Sequence, residues 1–266
     1  MATRSPTLNV MGNAALKAAR GLIRDFGEVE HLQVSVKGPG EFVSTADLKA
    51  ERTLKAELKK ARPGYAMLFE ESGAEAGSDP RHRWIVDPLD GTTNFAHQYP
   101  FFSVSIGFEK KGEILCGAVY DPWRDEMFSG ARGQGSFMNG QRLRVSNIDN
   151  LGSGLILTGF PYTIREKMKT AIGQFEAFLF ESQAVRRAGS AALDLGYIAL
   201  GRGDGFWEMD LHAWDTAAGL VILEEAGGCV TDFAGNPFSI YGKQIVASNG
   251  QIHDEMVAVL SKIELP

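Results

Sequence analysis

RWIVDPLDGTTNF, residues 83–95, is the stretch from which the rest of the chain is best read. An apolar run ending in Val86 passes straight into Asp87-Pro88-Leu89-Asp90-Gly91-Thr92-Thr93. A run this apolar predicts a buried strand, and two carboxylates leaving its end together repel each other unless a cation lies between them. Asp-Pro and Asp-Gly also have an ordinary reading as turn formers. The neighbouring segments decide whether that reading is enough.

Two other segments deliver acids in the same way. Met67-Leu68-Phe69-Glu70-Glu71-Ser72-Gly73 predicts a strand with Glu70 at its carboxyl end, although alone it reads equally as an exposed acidic loop. Leu211-His212-Ala213-Trp214-Asp215-Thr216-Ala217-Ala218-Gly219 opens an apolar helix, where Asp215 alone reads as a first-turn acid favoured by the helix dipole. Together Glu70, Asp87, Asp90 and Asp215 form an all-oxygen set. The five histidines are scattered and the two cysteines, Cys116 and Cys229, sit apart in apolar strand-like settings, so neither a zinc site nor a disulfide framework is indicated. The set suits a hard cation such as Mg²⁺. Because Mg²⁺ retains several waters, this many carboxylates imply two or more ions whose coordination a substrate phosphate completes. Gly91 and Thr92, opening a predicted helix, can offer backbone N–H groups to phosphate oxygens. No P-loop occurs.

Around these segments the period of the apolar residues changes twice. Leu8, Met11, Ala15, Ala19, Leu22, Ile23 and Phe26 recur at helical spacing. The stretch Val36-Lys37-Gly38-Pro39-Gly40 reads as a mobile connection before a second helix, opened by Ser44-Thr45-Ala46-Asp47 and ended by Pro63-Gly64. Between Tyr65 and Val145 the alternation of Phe102, Val104, Ile106 and Phe108, with turns at KKGE, DPWRD, RGQG and Asn139-Gly140, predicts an antiparallel meander. Beyond Asn150, short apolar runs alternate with helical stretches at 165–180, 191–200, 216–226 and 253–263, which argues for an α/β half. The expectation is two closely joined subdomains, 1–146 carrying most of the acids and 147–266 carrying Asp215, with a site in the cleft between them.

The chain has 266 residues and a net charge of −6, which argues against a nucleic-acid partner. At 44% hydrophobic and 23% charged it is not an intrinsically disordered chain. No stretch approaches the roughly 18 uninterrupted apolar residues of a membrane span, and MATRSPTLNV lacks the apolar core of a secretory signal. A cytoplasmic protein without a membrane partner is expected.

FEESG, WIVDPLDGTTNF and HAWDTAAGLVILEEAGG, in that order, resemble the inositol monophosphatase family of Mg²⁺-dependent, Li⁺-sensitive phosphatases. The likeness extends to the opening helix, STAD at 44–47, PFFSVSIGF, and GSAALDLGYIALGRGDGFWE, and so covers nearly the whole chain. It implies the layered αβαβα sugar-phosphatase fold and a homodimer. It further implies that Glu70, Asp87 and the Leu89 carbonyl hold a first metal and that Asp87, Asp90 and Asp215 hold a second. A third ion would lean on Glu70 through water. By the same resemblance, Thr92 and Asp47 orient and deprotonate a water, while Asp47 by its local context also reads as a plain helix-start residue. Asp90, Gly91, Thr92, Asp215, the Gly189-Ser190-Ala191 turn and Glu208 would meet the substrate, with Lys37 near the phosphate end. Glu208, an acid in the apolar run Gly205-Phe206-Trp207-Glu208-Met209, favours a cyclitol or sugar phosphate as substrate, myo-inositol monophosphate first. The alternatives are fructose 1,6-bisphosphate, histidinol phosphate or 3′-phosphoadenosine 5′-phosphate, or a non-catalytic regulatory protein on this fold.

Overall fold

The computed structural model describes residues 5–28, 34–38, 41–160 and 164–263, with backbone alone at 34–38, 41–44 and 164–166. Helix α1 (Pro6–Gly27) has proline at its first position, where the missing N–H would have no partner in any case. It buries Leu8, Met11, Ala15, Ala19, Leu22 and Phe26 along one stripe. A two-stranded ribbon, β1 (Val34–Gly38) and β2 (Glu41–Ser44), leads into α2 (Thr45–Ala61), which ends just ahead of Pro63. Pro39 and Gly40, expected in a mobile connection, lie outside the described residues.

The two helices pack on each other and on one face of an eight-stranded sheet. Its strands are β3 (Tyr65–Phe69), β4 (Gly73–Glu75), β5 (Asp79–Asp90), β6 (Ser103–Lys110), β7 (Glu113–Asp121), β8 (Glu126–Ala131), β9 (Gly135–Met138) and β10 (Gln141–Arg142), in the order β10-β9-β8-β7-β6-β5-β3-β4. A short helix, α3 (Thr92–Ala96), interrupts the connection from β5 to β6. The hairpins at Lys111-Gly112 and Asn139-Gly140 are tight two-residue turns with positive φ at both residues.

The second half builds a mixed five-stranded sheet of β11 (Leu155–Thr158), β12 (Ala184–Arg186), β13 (Gly205–Met209), β14 (Cys229–Thr231) and β15 (Gln244–Ser248), ordered β12-β11-β13-β15-β14. Helices α5 (Ala191–Ala199) and α6 (Ala213–Ala226) contact both sheets, and α4 (Ile164–Glu181) and α7 (His253–Leu260) pack against the smaller one. The order is helix, sheet, helix, sheet, helix, the layered α/β sandwich expected. Because helices cover the large sheet on both sides, its central strands are apolar on both faces. Trp84, Val86, Ile106 and Phe108 meet α1 and α2, whereas Ile85, Val119 and Phe128 meet α5 and α6. Among the described residues no helix is long and apolar enough to cross a membrane.

Two expectations need correction. The segment from Tyr65 is not a purely antiparallel meander, since β3 pairs with β5 in parallel, Phe69 opposite Val86. Nor does the strand through RWIV end at Val86. Pairing continues to Asp90, with Asp87 opposite Ser105 and Asp90 opposite Ser103, three steps on β5 against two on β6. This bulge accommodates Pro88, which could not sit in a regular central strand.

Gly107, Gly117 and Gly130 stand in register across β6, β7 and β8, and α6 lies in the furrow they leave. A Cβ at Gly107 would come within 2.7 Å of Ala217 Cβ, one at Gly117 within 2.3 Å of the Ala218 carbonyl oxygen, and one at Gly130 within 3.0 Å of Ile222 Cα. Glycine is required here for closeness, and the alanines of α6 match it from the other side. The first turn of α6 carries Asp215, so the furrow sets how near that carboxylate comes to β5. Gly117→Ala should force the helix outward at a cost of about 1–3 kcal/mol, the usual penalty of overpacking. A thermal melt checks this: the variant should lose several degrees, whereas an alanine placed at exposed Gly112 on the neighbouring hairpin should not cost the same through packing.

Candidate metal and substrate site

The bulge decides where the two central acids point. Residues three apart on a regular strand face opposite sides of the sheet. The extra residue between Asp87 and Asp90 restores the parity, so both stand opposite Ser103 and Ser105, on the side covered by α6. The parallel pairing of β3 with β5 then lays Glu70 beside Asp87, with the Glu70 N–H donating to the Val86 carbonyl at 3.2 Å. Asp215 arrives from α6, its Oδ2 accepting the His212 N–H at 2.6 Å.

Asp87 is 2% exposed, with its Oδ1 accepting the Leu89 N–H at 2.9 Å. Burial drives its carboxyl well above the usual range, and Glu70, Asp90 and Asp215 all push in the same direction, Glu70 also through a hydrogen bond. Burial, opposed by the Ser190 hydroxyl, pushes the buried Asp90 up to about 7, with Asp215 adding to the shift. The Asp90 Oδ2 accepts the Ser190 hydroxyl at 2.5 Å and the Ala192 N–H at 2.8 Å. Gly91, at φ 97°, turns the chain into α3, and a Cβ there would stand 3.0 Å from the Phe101 carbonyl oxygen. The Thr92 hydroxyl lies 2.9 Å from Asp47 Oδ1 and 3.1 Å from the Leu89 carbonyl oxygen. Asp47, fully buried on α2, is thereby tied to the acid-bearing segment.

A single cleft is lined by Asp90, Gly91, Thr92, Gly189, Ser190, Ala191, Glu208 and Asp215. Asp47, Glu70, Asp87 and Leu89 stand outside that lining and connect to it through Thr92 and Asp90. Twelve of the thirteen residues expected from the sequence therefore belong to one region of the fold. The side chain of Lys37 lies outside the described residues. Glu208 is buried, and burial together with Asp215 and Asp90 raises its carboxyl well above the usual range, with Arg187 opposing. The absence of a Cβ at Gly159 makes room for the Glu208 carboxylate, whose oxygens would stand 2.2 Å from it.

Three contributors were not singled out in the sequence. Asn94 on α3 donates to the carbonyls of Phe101 and Ala188 at 2.8 and 2.9 Å, pinning the 188–190 turn to the acid segment. Arg187 and Asp194 line the cleft. Asp194 had a readable signal, an acid inside the otherwise apolar helical run AALDLGYIAL.

Among the described residues no group of three or more His, Cys, Asp and Glu side chains stands ready-made around one point. The carboxylates are instead turned onto backbone N–H groups and a hydroxyl, as just described. The donor set nonetheless fits a divalent cation: four acids, oxygen only, each buried or half-buried within range of the others' charge. A cation among them would relieve the repulsion that raises Asp87 and Asp90.

The chain matches the model of the inositol monophosphatase family over residues 4–265. It is 51% identical to an inositol-1-monophosphatase of Mesorhizobium japonicum across 97% of both chains. It is 40% identical to the Nus factor SuhB of Escherichia coli K12 across 95% of both. The crystal structure of the extragenic suppressor protein suhB of Bartonella henselae superposes with a TM-score of 0.93 at 48% identity, covering 97% of this chain and 99% of that one. On fold, motif order and similarity alike, the chain belongs to the inositol monophosphatase family.

Proposed function

We propose that this chain is a Mg²⁺-dependent phosphomonoesterase that hydrolyses myo-inositol monophosphate by direct attack of water. It is an enzyme of the phosphoric monoester hydrolase class, as its relatives' names indicate. The observation that carries the metal reading is the convergence of Glu70, Asp87, Asp90 and Asp215, acids from three separate segments whose charges, with burial, raise the affinity of Asp87 and Asp90 for protons. A non-catalytic binding protein on this fold would have no reason to keep four mutually repelling carboxylates together.

In this reading residues 1–146 and 147–266 act as two subdomains, the first supplying Glu70, Asp87, the Leu89 carbonyl and Asp90, the second closing the set with Asp215. These five groups would hold two ions, with room for a third at Glu70. Bound there, Mg²⁺ supplies charge neutralisation for the phosphate, a lower pKa for the attacking water and stabilisation of the leaving alkoxide. The Thr92 hydroxyl, hydrogen-bonded to the Asp47 carboxylate, would orient the attacking water and pass its proton toward Asp47. The N–H groups of Gly91 and Thr92, at the start of α3, would meet the phosphate oxygens. At the far end of the cleft the Gly189-Ser190-Ala191 turn, Asp90 and Glu208 receive the hydroxyl-bearing part of the substrate.

The reading is tested first by a phosphate-release assay on a panel of phosphomonoesters. Turnover should vanish on chelation, return with Mg²⁺ rather than Zn²⁺, and fall with added Li⁺ or Ca²⁺. Metal-independent turnover would refute it.

Asp90 supplies a second test. Its carboxyl, near 7 in the folded chain, lies above its unfolded value of 3.8. Its contribution to metal-free stability is therefore complete below about pH 4 and lost as the pH rises through about 7. Asp90→Asn cannot ionise. In chelator the variant should melt above the parent at pH 8, and the gap should narrow at pH 5 and close only near pH 4. With Mg²⁺ the parent should recover stability while the variant stays catalytically inert.

Glu208→Gln tests the substrate end. It keeps the shape but weakens hydrogen bonds worth about 1.5–3 kcal/mol when charged, so kcat/KM for inositol 1-phosphate should drop about tenfold or more. p-Nitrophenyl phosphate, which has no ring hydroxyl to offer, should be hydrolysed nearly as before, with unchanged Mg²⁺ dependence. An equal loss on both esters would place Glu208 in the catalytic or structural framework instead.

A further inference from the structure

Asp194 is a buried acid on the wall of the cleft. It is 1% exposed, and its Oδ1 has no hydrogen-bond partner among the described residues. It lines the same cleft as Asp90 and Glu208. Burial holds its carboxyl well above the usual range, Glu208 and Asp90 raise it further, and the Arg187 guanidinium on the cleft wall pulls the other way.

No structural role accounts for it. Asp194 follows Ser190, the residue capping α5, by one helical turn, so the two share a face of the helix. Around it Ala191, Ala192, Leu193, Leu195 and Ile198 are all buried, and a leucine would continue that pattern. An acid whose oxygen is buried without a partner costs stability. What distinguishes the position is what it shares: Glu208 arrives in the same cleft from β13, its carboxylate seated against Gly159 where a Cβ would collide with it. Two carboxyl groups from different elements therefore line one space, and the Asp194 Oδ1 has no hydrogen-bond partner there among the described residues.

We propose that Asp194 is a specificity-determining residue that, with Glu208, receives hydroxyl groups of a polyol phosphate and so selects esters bearing at least two hydroxyls remote from the phosphate. The inference rests on the phosphomonoesterase reading above and extends its substrate end. A hydroxyl donates as well as accepts, and carboxyl oxygens lining one cleft can take the protons of two such hydroxyls. An ester without such hydroxyls leaves both carboxyl groups unpaired, and this is the circumstance in which a polar site discriminates most strongly.

The test uses the full-length protein with Asp194→Leu, which keeps the branched shape and removes both oxygens, and Asp194→Asn, which keeps shape and polarity. Melting temperature is measured with and without Mg²⁺, and kcat/KM is measured for myo-inositol 1-phosphate and p-nitrophenyl phosphate. Asp194→Leu should melt no lower than the parent. Its kcat/KM for the inositol ester should fall about tenfold or more, while that for the nitrophenyl ester stays within about threefold and the Mg²⁺-induced rise in melting temperature is retained. Asp194→Asn should show the same selectivity to a smaller degree. If both variants melt well below the parent, Asp194 is a structural acid and the inference falls. It falls also if both esters suffer equally or neither suffers. A parent inert toward both esters in Mg²⁺ would bring down the phosphomonoesterase reading and this inference with it, whereas an active parent with unaltered preference in both variants brings down this inference alone.

Discussion

The extra residue in β5 between Asp87 and Asp90 is the constraint on which the site depends. In a regular strand one of these carboxylates would enter the core shared with α1 and α2, among Trp84, Val86 and Ile106, where nothing could neutralise it. The bulge turns both toward α6 and so gathers into one place charges that the sequence separates by three residues. Everything nearby serves that arrangement. The parallel β3 brings Glu70 alongside, Gly91 lets the chain reverse at once into α3, and Thr92 reaches back to Asp47.

The cost of this gathering is carried by the fold. Asp87, Asp90, Asp194 and Glu208 are all buried, and all hold protons more tightly than ordinary carboxyl groups. A chain selected for stability alone would replace them. Two extensive apolar layers, one between the large sheet and α1 and α2, the other around α5 and α6, supply the surplus that tolerates them. The acids divide into an end facing a cation and an end facing hydroxyls, with Asp90 common to both through its bonds to Ser190 and Ala192.

Much of this was legible in the sequence because it is local. The stripe from Leu8 to Phe26, the Asn-Gly hairpin at 139–140 and the helices after Ser190 and His212 each follow from spacing and turn chemistry that a short window contains. The acidic residues were legible because charge at the end of an apolar run is a local contradiction. What escaped depends on pairing between distant segments. The parallel partnership of β3 and β5 and the bulge exist only relative to a neighbouring strand, and no window around Val86 records them. Asn94 escaped for a similar reason, since a polar residue in a short helix is unremarkable until the 188–190 turn is set beside it.

The furrow formed by Gly107, Gly117 and Gly130 divides the molecule's freedom to change. Where a helix rests on a sheet through long side chains, an altered residue is absorbed by rotamer adjustments, and the backbone shifts little. Under α6 there is little side chain to adjust, because the glycines bring the strands directly against the helix backbone, the Ala217 methyl and the branched side chains of Val221 and Ile222. A disturbance there passes undamped to Asp215. The opposite wall of the cleft is made of exchangeable side chains on the 187 turn, α5 and β13. New chemistry at the distal end of a substrate can thus be accommodated by replacing residues at 187, 194 or 208 while the acid cluster keeps its spacing. One scaffold can in this way hold its reaction constant as its selectivity drifts.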